Sequence, residues 1–581
     1  MSRTLAEQIV ESFGLTGIQK QAARERERDV VVTAGAGSGK TRTLVARYVS
    51  LLAEGVEPRR VVAITFTKKA AREMRARVRD ALTQLVQAAP FGDEQQRWLA
   101  LSSRMDAARI GTIHSICAEI LQAHPAEAGI DPRFAVLDEG LTAALRAQVV
   151  TDTLGELVDQ PAFAELFKTL KPSDLGSLLQ FLLDHRLEAD EAFAENLDAG
   201  AIVRQFLENT LRREELAGTI ADLRGRSRAD LEADGLYDLI SGLLPLWDSA
   251  ESALKQGDLA GSAQALIQAR KTGMKLTVGK RVSPTKDILR DLQKAYDAFL
   301  APILGGDLPD PGMEARLSTL MPLVSRAFEQ LSRNYRTALA QRQALDFDDL
   351  EAGAEKLLAE ESIRVRWQAE LDALLVDEFQ DTNARQRKIV EALAGAQGHL
   401  FVVGDARQSI YRFRRADVTV FRAMQDRAKR EGGLVLDLDR TYRAHEPLLQ
   451  ATGDLLTGIM GDQDDPSRPY YVPFSQLDAH RKSAPEHIQP AHIELVFGAG
   501  EDAASARPVM AIALGKRLLE LKQAGQIRTW DDVALLFRAS SGFAYYENAF
   551  EDMGIPFVTV AGRGFYERPE IRDVLNLLRA L

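Results

Sequence analysis

Six short runs of apolar residues punctuate this chain, and hardly any polar position interrupts them. A strand covered on both faces of a parallel sheet has this pattern, whereas a strand with one wet face alternates. Helical patterns lie between the runs, so the sequence predicts doubly wound α/β architecture. The runs are DVVVTA (29–34), RVVAITF (60–66), ALLVDE (373–378), HLFVVGD (399–405), LVLDLD (434–439) and DVALLFR (532–538).

The stretch from 118 to 341 has a different pattern. It is rich in Leu, Ala, Glu and Arg, and its apolar residues recur at helical spacing in 162–170, 175–193 and 316–339. Turn signals such as LKPSD and GGDLPDPG interrupt it. The sequence therefore predicts an α-helical insertion inside the first α/β domain, which would comprise 1–117 and 342–435.

Composition narrows the classes of protein that fit. With 581 residues and 45% hydrophobic content, the chain can form several cored domains. A net charge of −11 argues against a uniformly basic DNA-coating protein but allows a local basic groove. The single cysteine, Cys117, excludes a disulfide framework or a cysteine-based metal site within this chain. Since no signal peptide or long apolar span is visible, we expect a soluble, cytoplasmic protein without a membrane partner.

The first apolar run leads into the stretch VTAGAGSGKTRT, from Val32 to Thr43. A strand that ends in a glycine-rich turn and opens a helix directs backbone N–H groups at one point, where a phosphate can bind. In such a P-loop, Lys40 reaches the β- and γ-phosphates and the Thr41 hydroxyl binds Mg²⁺. Ala34 stands where the strict pattern has its first glycine. The predicted phosphate cradle consists of Ala34, Gly35, Ala36, Gly37, Ser38 and Gly39.

A second motif, LLVDEFQDT (374–382), supplies the carboxylates that ATP hydrolysis needs. Asp377 closes an apolar strand, which is the place of a Walker B aspartate that holds Mg²⁺. Glu378 follows directly and would orient the attacking water. A lone pair of acids carries little information, but a pair that closes a strand in a P-loop chain predicts an ATPase site.

Together with GDARQSIYRFRRA (404–416) and RTYRA (440–444), these motifs resemble those of the superfamily 1 DNA helicases of the UvrD/Rep/PcrA type. Within that group the chain resembles the AddA and RecB motor subunits of recombinational repair, the exonuclease V type. The resemblance implies RecA-like P-loop NTPase lobes with parallel sheets, a helical 1B-like insertion, and a second lobe that starts at 436. It also implies ATP and Mg²⁺ as cofactors and 3′→5′ travel on single-stranded DNA.

The resemblance assigns roles to further residues of the nucleotide site. Gln19, in LTGIQKQA, matches the glutamine that reads adenine, and Arg42 follows the P-loop as a nucleotide contact. Gln380 and Gln408 match polar groups that sense the γ-phosphate. Tyr442 would stack on the base, and Arg443 would act as an arginine finger.

Several side chains are candidates for binding DNA. The loop 404–416 interleaves aromatic and basic residues, a combination that binds single-stranded bases and phosphates. Segments 63–79 and 109–121 resemble helicase motifs Ia and Ib. The candidates are Phe66, Thr67, Lys68, Thr112, His114, Tyr411, Phe413 and Arg414.

The end of the chain resembles the start of a second motor lobe. Gly562, Phe565, Glu567, Glu570 and Asp573 fall on the family pattern GGxxFFExxEIKD. The 2B insertion, motifs V and VI and a nuclease domain would follow in the family, so we expect a truncated chain with an incomplete second lobe. The implied partners are single-stranded DNA, duplex DNA ends and a companion protein like AddB or RecC, and the implied location is the nucleoid.

Two alternatives to a helicase stay open on the sequence. The first is a nucleotide-dependent DNA-binding module without independent helicase activity. The second is a P-loop ATPase of another class, such as a kinase or a RecF-like clamp, although the DEFQD and GDARQSIY segments and the insertion speak against it. Nucleotide-dependent binding without turnover would favour the first, and an ATPase that DNA does not stimulate would favour the second.

Overall fold

The computed structural model describes residues 5–89, 91–194, 199–280, 282–304, 313–395, 398–465, 468–560 and 569–580. The chain divides into two compact units, one formed by Met1–Leu121 with Gly353–Leu581 and the other by Gln122–Ala352. The described strands are β1 Val30–Ala34, β2 Val61–Thr65, β3 Arg109–Thr112, β4 Ala135–Val136, β5 Ala344–Leu345, β6 Ala373–Val376, β7 Leu400–Gly404, β8 Leu434–Leu438, β9 Arg440–His445 and β10 Asp478–Arg481.

The first unit is built on a six-stranded parallel sheet in the order β3-β2-β6-β7-β1-β8. Val30 and Val32 of β1 pack into one core with helical residues, and Val31 on the opposite face is also fully buried. Burial on both faces explains the uninterrupted apolar runs. The predicted α/β class with a parallel sheet is confirmed.

The helices before the insertion lie ahead of the first strand or in the connections that follow β1, β2 and β3. They are α1 Leu5–Ser12, α2 Gly17–Arg24, α3 Lys40–Ala53, α4 Lys68–Ala88, α5 Asp93–Ser103 and α6 Ile113–Ala123. The connections from β1 through α3 to β2 and from β2 through α4 to β3 are the crossovers that parallel pairing requires. They place the starts of α3 and α4 at the carboxyl edge of the sheet.

In its described residues the second unit is helical, apart from the short parallel pair of β4 and β5. One core packs α8 to α11 against α19, and a separate core packs α12 to α18 around the fully buried Trp247. Its helices are α7 Pro125–Ala128, α8 Glu139–Val158, α9 Ala164–Thr169, α10 Pro172–Asp184, α11 Arg186–Ala194, α12 Ala199–Leu211, α13 Glu214–Arg224, α14 Arg228–Asp234, α15 Tyr237–Lys255, α16 Leu259–Gln268, α17 Pro284–Phe299, α18 Ala301–Leu304 and α19 Met313–Gln341.

A network of buried charges lies in the core that contains α19. Asp346 is fully buried, and its carboxylate accepts hydrogen bonds from Arg146 at 2.8 Å, Arg186 at 2.7 Å and the Tyr335 hydroxyl at 2.8 Å. Burial opposes ionisation of Asp346, but the two guanidinium groups hold its pKa below the ordinary value. The charge of this carboxylate is therefore met inside the unit.

The chain returns to the first unit through α20 Phe347–Ala359 and continues to the end of the sequence. The remaining helices are α21 Glu361–Glu370, α22 Ala384–Ala394, α23 Val418–Arg430, α24 Glu446–Met460, α25 Ala503–Gln523, α26 Phe543–Asp552 and α27 Pro569–Ala580. Strand β8 pairs with β1, so the sheet of the first lobe continues to Leu438 and the predicted boundary at 436 falls inside a strand. Gly562, Phe565 and Glu567 lie outside the described residues, as does the side chain of Glu570.

One predicted strand is wrong, and one strand of the six-stranded sheet was not predicted. Residues 533–537 are extended but pair with no strand in the part of the chain that is described. Val533 and Leu535 pack against α25 and α26, while Leu536 is 95% exposed, so the run is half-buried. The sixth strand of the sheet is instead β3, whose sequence RIGT is too short and too polar to give a strand signal.

Candidate nucleotide and DNA site

The P-loop lies between β1 and α3, at the carboxyl edge of the sheet. Gly37 and Gly39 adopt positive φ angles of +74° and +88°, a conformation that favours glycine. Ser38 is 1% exposed, and its hydroxyl has no hydrogen-bond partner within the described part of the protein. Lys40 is the first residue of α3, so the helix N-terminus and the lysine face the same loop. This arrangement fits a triphosphate.

Side chains from outside the loop fix its backbone. The amide of Gln19 donates from Nε2 to the Ser38 carbonyl at 2.7 Å and accepts from the Thr16 N–H at 2.8 Å. The Thr441 hydroxyl donates to the Ala36 carbonyl at 2.8 Å. Gln19 is thus occupied in bracing the loop in this structure, and its recognition of adenine stays a prediction. Thr441 lies in the RTYRA motif, but no role was predicted for it from the sequence.

The carboxylates of the second motif follow β6 directly. Glu378 has a φ of +54°, a left-handed conformation that costs a non-glycine residue about 1–3 kcal/mol and is typical of functional turns. Its Oε2 lies 3.0 Å from the Nζ of Lys40. The structure therefore joins the ends of β1 and β6, although β7 separates these strands in the sheet.

Two neighbouring aspartates lack full charge compensation. Burial, and then the charge of Glu378, raises the pKa of Asp377 to about 6. The same two causes raise the pKa of Asp381, which is 7% exposed, to about 7. The Oδ1 of Asp381 has no hydrogen-bond partner among the described residues. Perturbed carboxyl groups of this kind mark a place where a cation is favoured.

The residues predicted to bind Mg²⁺ fit that ion. Thr41 offers a hydroxyl from the first turn of α3, and Asp377 offers a carboxylate oxygen from the end of β6. Mg²⁺ prefers oxygen ligands and is held in nucleotide sites by one or two protein groups together with phosphate oxygens. The raised pKa of Asp377 is consistent with a carboxylate that gains from a nearby cation.

A hydrogen-bond network connects the second motif with the loop after β7. Gln380 donates to Glu378 at 2.8 Å and accepts from the Asp405 N–H at 2.9 Å. The Asp405 carboxylate in turn accepts from the Gln408 amide at 2.8 Å. Both glutamines predicted to sense the γ-phosphate therefore belong to one network. Asp405 was missed, although it closes an apolar run just as Asp377 does.

Strand β9 brings Tyr442 and Arg443 to the P-loop. The Tyr442 N–H donates to the Gly37 carbonyl at 2.9 Å. A Cβ built on Gly37 would lie 2.5 Å from the Cβ of Arg443, so the two backbones are in close approach. Arg42, in the first turn of α3, lies near Gly14 and lines a cavity of about 560 Å³ with Phe13.

Three of the predicted DNA-binding aromatics form one cluster. The rings of Phe66 and Tyr411 are 4.5 Å apart, and those of Tyr411 and Phe413 are 5.7 Å apart. The guanidinium of Arg414 lies 5.5 Å from the Tyr411 ring centroid. Phe413 is 79% exposed and so presents an open aromatic face at the carboxyl edge of the sheet. Such a surface suits stacked bases.

The remaining DNA candidates lie at the starts of two helices. The Thr67 hydroxyl caps α4 by accepting the Ala70 N–H at 3.0 Å, and Lys68 beside it is exposed. Thr112 is 9% exposed, and its hydroxyl accepts the Ser115 N–H at 3.4 Å, which occupies it in the first turn of α6. His114 is half-buried on the same turn. The structure thus exposes Lys68 more than either residue of motif Ib.

Comparisons with known proteins agree with the geometry. The family model for the UvrD/REP helicase N-terminal domain matches residues 15–258 and 315–429. The model for the UvrD-like helicase C-terminal domain matches residues 436–581. The stretch between the two segments of the first match, 259–314, lies within the helical unit.

Curated relatives align with most of this chain at about a quarter of identical residues. Proteins whose names make them a subunit of an ATP-dependent helicase/nuclease are 25% identical in Staphylococcus epidermidis, 27% in Staphylococcus aureus strain MRSA252 and 26% in Staphylococcus saprophyticus. Each alignment covers 93% of this chain and 48% of the relative, so the chain spans about half the length of these proteins. On the extent of the family matches, the chain belongs to the UvrD/Rep helicase family.

Proposed function

We propose that this chain is an ATP-driven DNA helicase or translocase that moves 3′→5′ on single-stranded DNA in recombinational repair. The observation that carries the proposal is the convergence of the P-loop, the carboxylates after β6 and the aromatic cluster at one edge of the sheet. Lys40 and Glu378 mark the nucleotide end of that edge at 3.0 Å. Phe66, Tyr411 and Phe413 mark the DNA end.

The ion pair between Lys40 and Glu378 suggests how the nucleotide prepares the site. In the structure, the ammonium group of Lys40 neutralises the carboxylate of Glu378. The phosphates of ATP attract Lys40, because a triphosphate carries more negative charge than one carboxylate. Glu378 is then released to accept a proton from the attacking water. A bound Mg²⁺, held by Thr41 and Asp377, would supply charge neutralisation on the β- and γ-phosphates.

Changes at the γ-phosphate would reach DNA through the network of the two glutamines. Gln380 contacts Glu378, and its backbone carbonyl accepts a hydrogen bond from the Ser409 hydroxyl at 3.1 Å. Ser409 precedes Tyr411 by two residues. A shift of the γ-phosphate sensors therefore moves the loop that carries the stacking aromatics. Arg443, which lies against Gly37 of the P-loop, would neutralise charge in the transition state.

The proposed biological setting follows from the family and the named relatives. The names of the relatives call them subunits, which supports an AddB-like partner for this chain. The proposed substrates are single-stranded DNA and duplex ends, so the proposed place of action is the nucleoid in the cytoplasm. No helix in the described ranges is long and apolar enough to cross a membrane.

The test is steady-state ATP hydrolysis by this chain with and without oligo-dT. We expect turnover that DNA stimulates, that Lys40→Ala abolishes, and that loses its DNA stimulation in Phe413→Ala. Lys388→Ala, which removes an exposed lysine paired with Glu355, is the matched control and should behave like the unchanged chain. Nucleotide and DNA binding without turnover would favour the DNA-binding module, and turnover indifferent to DNA would refute the helicase.

A further inference from the structure

A segment beyond the recognised motifs forms an additional wall of the nucleotide site. We define the wall segment as residues 475–480, which include the start of β10. Strand β10 pairs in parallel with β9, and the register places Asp478 opposite Arg440 and Ala479 opposite Thr441. Thr441 is the residue that braces the P-loop, so the wall segment lies one strand away from the phosphate cradle.

The wall segment touches the P-loop and is fixed at both ends. A Cβ built on Gly35 would lie 2.5 Å from a methyl carbon of Leu477, so this leucine packs directly over the loop. At one end, Arg407 donates to the Ser475 carbonyl at 3.1 Å. At the other, Asp478 forms an ion pair with Arg440 at 2.8 Å. Three contacts from different parts of the site hold the segment in place.

The same segment places His480 on the ring of Tyr442. The two ring centroids are 4.8 Å apart, with the planes inclined at 43°. This distance lies in the range of favourable aromatic pairs. The backbone of Tyr442 is already tied to Gly37 of the P-loop. The imidazole therefore fixes the part of Tyr442 that the loop contact leaves able to rotate, its side chain.

We propose that His480 is a positioning residue that holds Tyr442 as a stacking platform for the purine base of the nucleotide. The proposal rests on the proposed function, since it assumes that ATP binds at the P-loop with its base on Tyr442. An aromatic ring packed against the phenol restricts its rotation and so keeps it in place for the base. A side chain without a ring would leave Tyr442 to sample other rotamers, and the base would bind more weakly.

The experiment compares two probes of the same site in the full chain. Isothermal titration calorimetry gives the Kd for ATP, which has a base, and for inorganic tripolyphosphate, which has none. We expect His480→Ala to weaken ATP binding by about 3- to 10-fold, in keeping with the loss of one aromatic pair. Tripolyphosphate should bind as before, because the phosphate cradle is unchanged. His480→Phe should restore the affinity for ATP.

A double-mutant cycle separates positioning from a general structural effect. In the Tyr442→Ala background, His480→Ala should have no further effect on ATP binding, because the platform is already absent. His487→Ala is the matched control, since His487 interacts with Asp532, lies outside the wall segment and should leave both Kd values unchanged.

Four outcomes would overturn the proposal. An unchanged Kd for ATP in His480→Ala would remove any role for the imidazole. Tighter ATP binding would mean that His480 occupies the place of the base. Equal weakening of ATP and tripolyphosphate would indicate a structural defect, as would an effect that persists in Tyr442→Ala. If the unchanged chain binds neither ATP nor tripolyphosphate, or if Lys40→Ala binds both as well as the unchanged chain does, the proposed function itself fails. Either result is distinct from the four outcomes above, in which the P-loop binds phosphate and only the role of His480 is lost.

Discussion

Two clusters of acidic residues in this molecule contain buried aspartates whose pKa values are shifted in opposite directions. The site cluster, Asp377, Glu378 and Asp381, lies at the carboxyl edge of the sheet. The insertion cluster, Asp346, Asp348 and Asp349, lies in the helical unit with Arg146 and Arg186. In the sequence, each cluster is a short segment with several acidic residues. In the structure, the clusters differ in how far nearby cations neutralise their carboxylates.

The difference is sharpest between Asp346 and the site aspartates, because burial and the charge of Asp346 raise the pKa of Asp349 although it contacts Arg186 at 2.6 Å. Asp346 accepts hydrogen bonds from two arginines, and its pKa lies below the ordinary value despite burial. In the site cluster, Lys40 pairs with Glu378, while burial and the charge of Glu378 raise the pKa values of Asp377 and Asp381. The charge of Asp346 is met by arginines inside the fold, whereas the charges of Asp377 and Asp381 would be favoured by a bound cation.

The largest effect should come from the predicted base in the site cluster. Replacing Glu378→Gln removes the carboxylate that accepts the proton, so we expect kcat to fall by about 10²- to 10⁴-fold while ATP still binds. Asp348→Asn, the equivalent change in the insertion cluster, should leave kcat unchanged. Measuring kcat and the Kd for ATP in both variants tests this contrast, which an active Glu378→Gln enzyme would break.

The next largest effect should come from a change in the insertion cluster, and it should alter the stability of the chain but not its activity. Arg186→Met leaves Asp346 with less compensation in a buried site, which should cost about 3–5 kcal/mol of unfolding free energy. The measurement is urea unfolding followed by circular dichroism at 222 nm. Arg336→Met is the control, because its exposed pair with Asp190 should contribute only about 0–1 kcal/mol. Equal losses of unfolding free energy in the two variants would mean that burial of the charge network does not determine how much it contributes to stability.

Asp381 and Asp346, one from each cluster, should also respond to pH with opposite signs. The pKa of Asp381 is raised to about 7, so the folded state binds more protons than the unfolded state and stability falls as the pH rises through this range. Asp381→Asn should therefore stabilise the ligand-free chain by about 1–3 kcal/mol at pH 8, with the gain lost near pH 4.

Asp346→Asn provides the opposite case. Its lowered pKa means that the stabilisation is present above the ordinary pKa of an aspartate and is lost as the pH falls through the folded value. The variant should be less stable than the unchanged chain at pH 8, and the deficit should shrink in acid. Urea unfolding at the two pH values checks both variants, and the same sign for both would refute the distinction.

The smallest effect should come from Mg²⁺ without nucleotide. Weak binding at Asp377 should raise the unfolding free energy by about 1 kcal/mol or less at millimolar Mg²⁺. NaCl of equal ionic strength should not reproduce the gain, and Asp377→Asn should remove it. A gain that depends instead on Asp346 would show that the insertion cluster also takes the ion. Thermal unfolding by circular dichroism is sensitive enough for this comparison.

The sequence predicted much of the fold because a strand that is buried on both faces has an uninterrupted run of apolar residues, which can be recognised without a structure. Five apolar runs became strands β1, β2, β6, β7 and β8. The prediction of a strand at 532–538 was wrong, since an apolar segment can also pack one face on helices without a neighbouring strand. Strand β3 escaped prediction because its four residues belong to the sheet through pairing with β2 rather than through their own composition.

The amino-acid sequence by itself determined the chemistry at the edge of the sheet. The features that carry it are local: the glycines Gly37 and Gly39, a lysine at the start of α3 and the acids directly after β6. Residues that are adjacent in the chain can be recognised from the sequence alone. Only the tertiary structure decided which distant groups meet them. Thr441 and His480 reach the site through pairings far apart in the chain, and the same holds for the arginines that neutralise Asp346. Charge compensation depends on distance in space, so sequence motifs alone did not separate the cluster that binds from the cluster that stabilises.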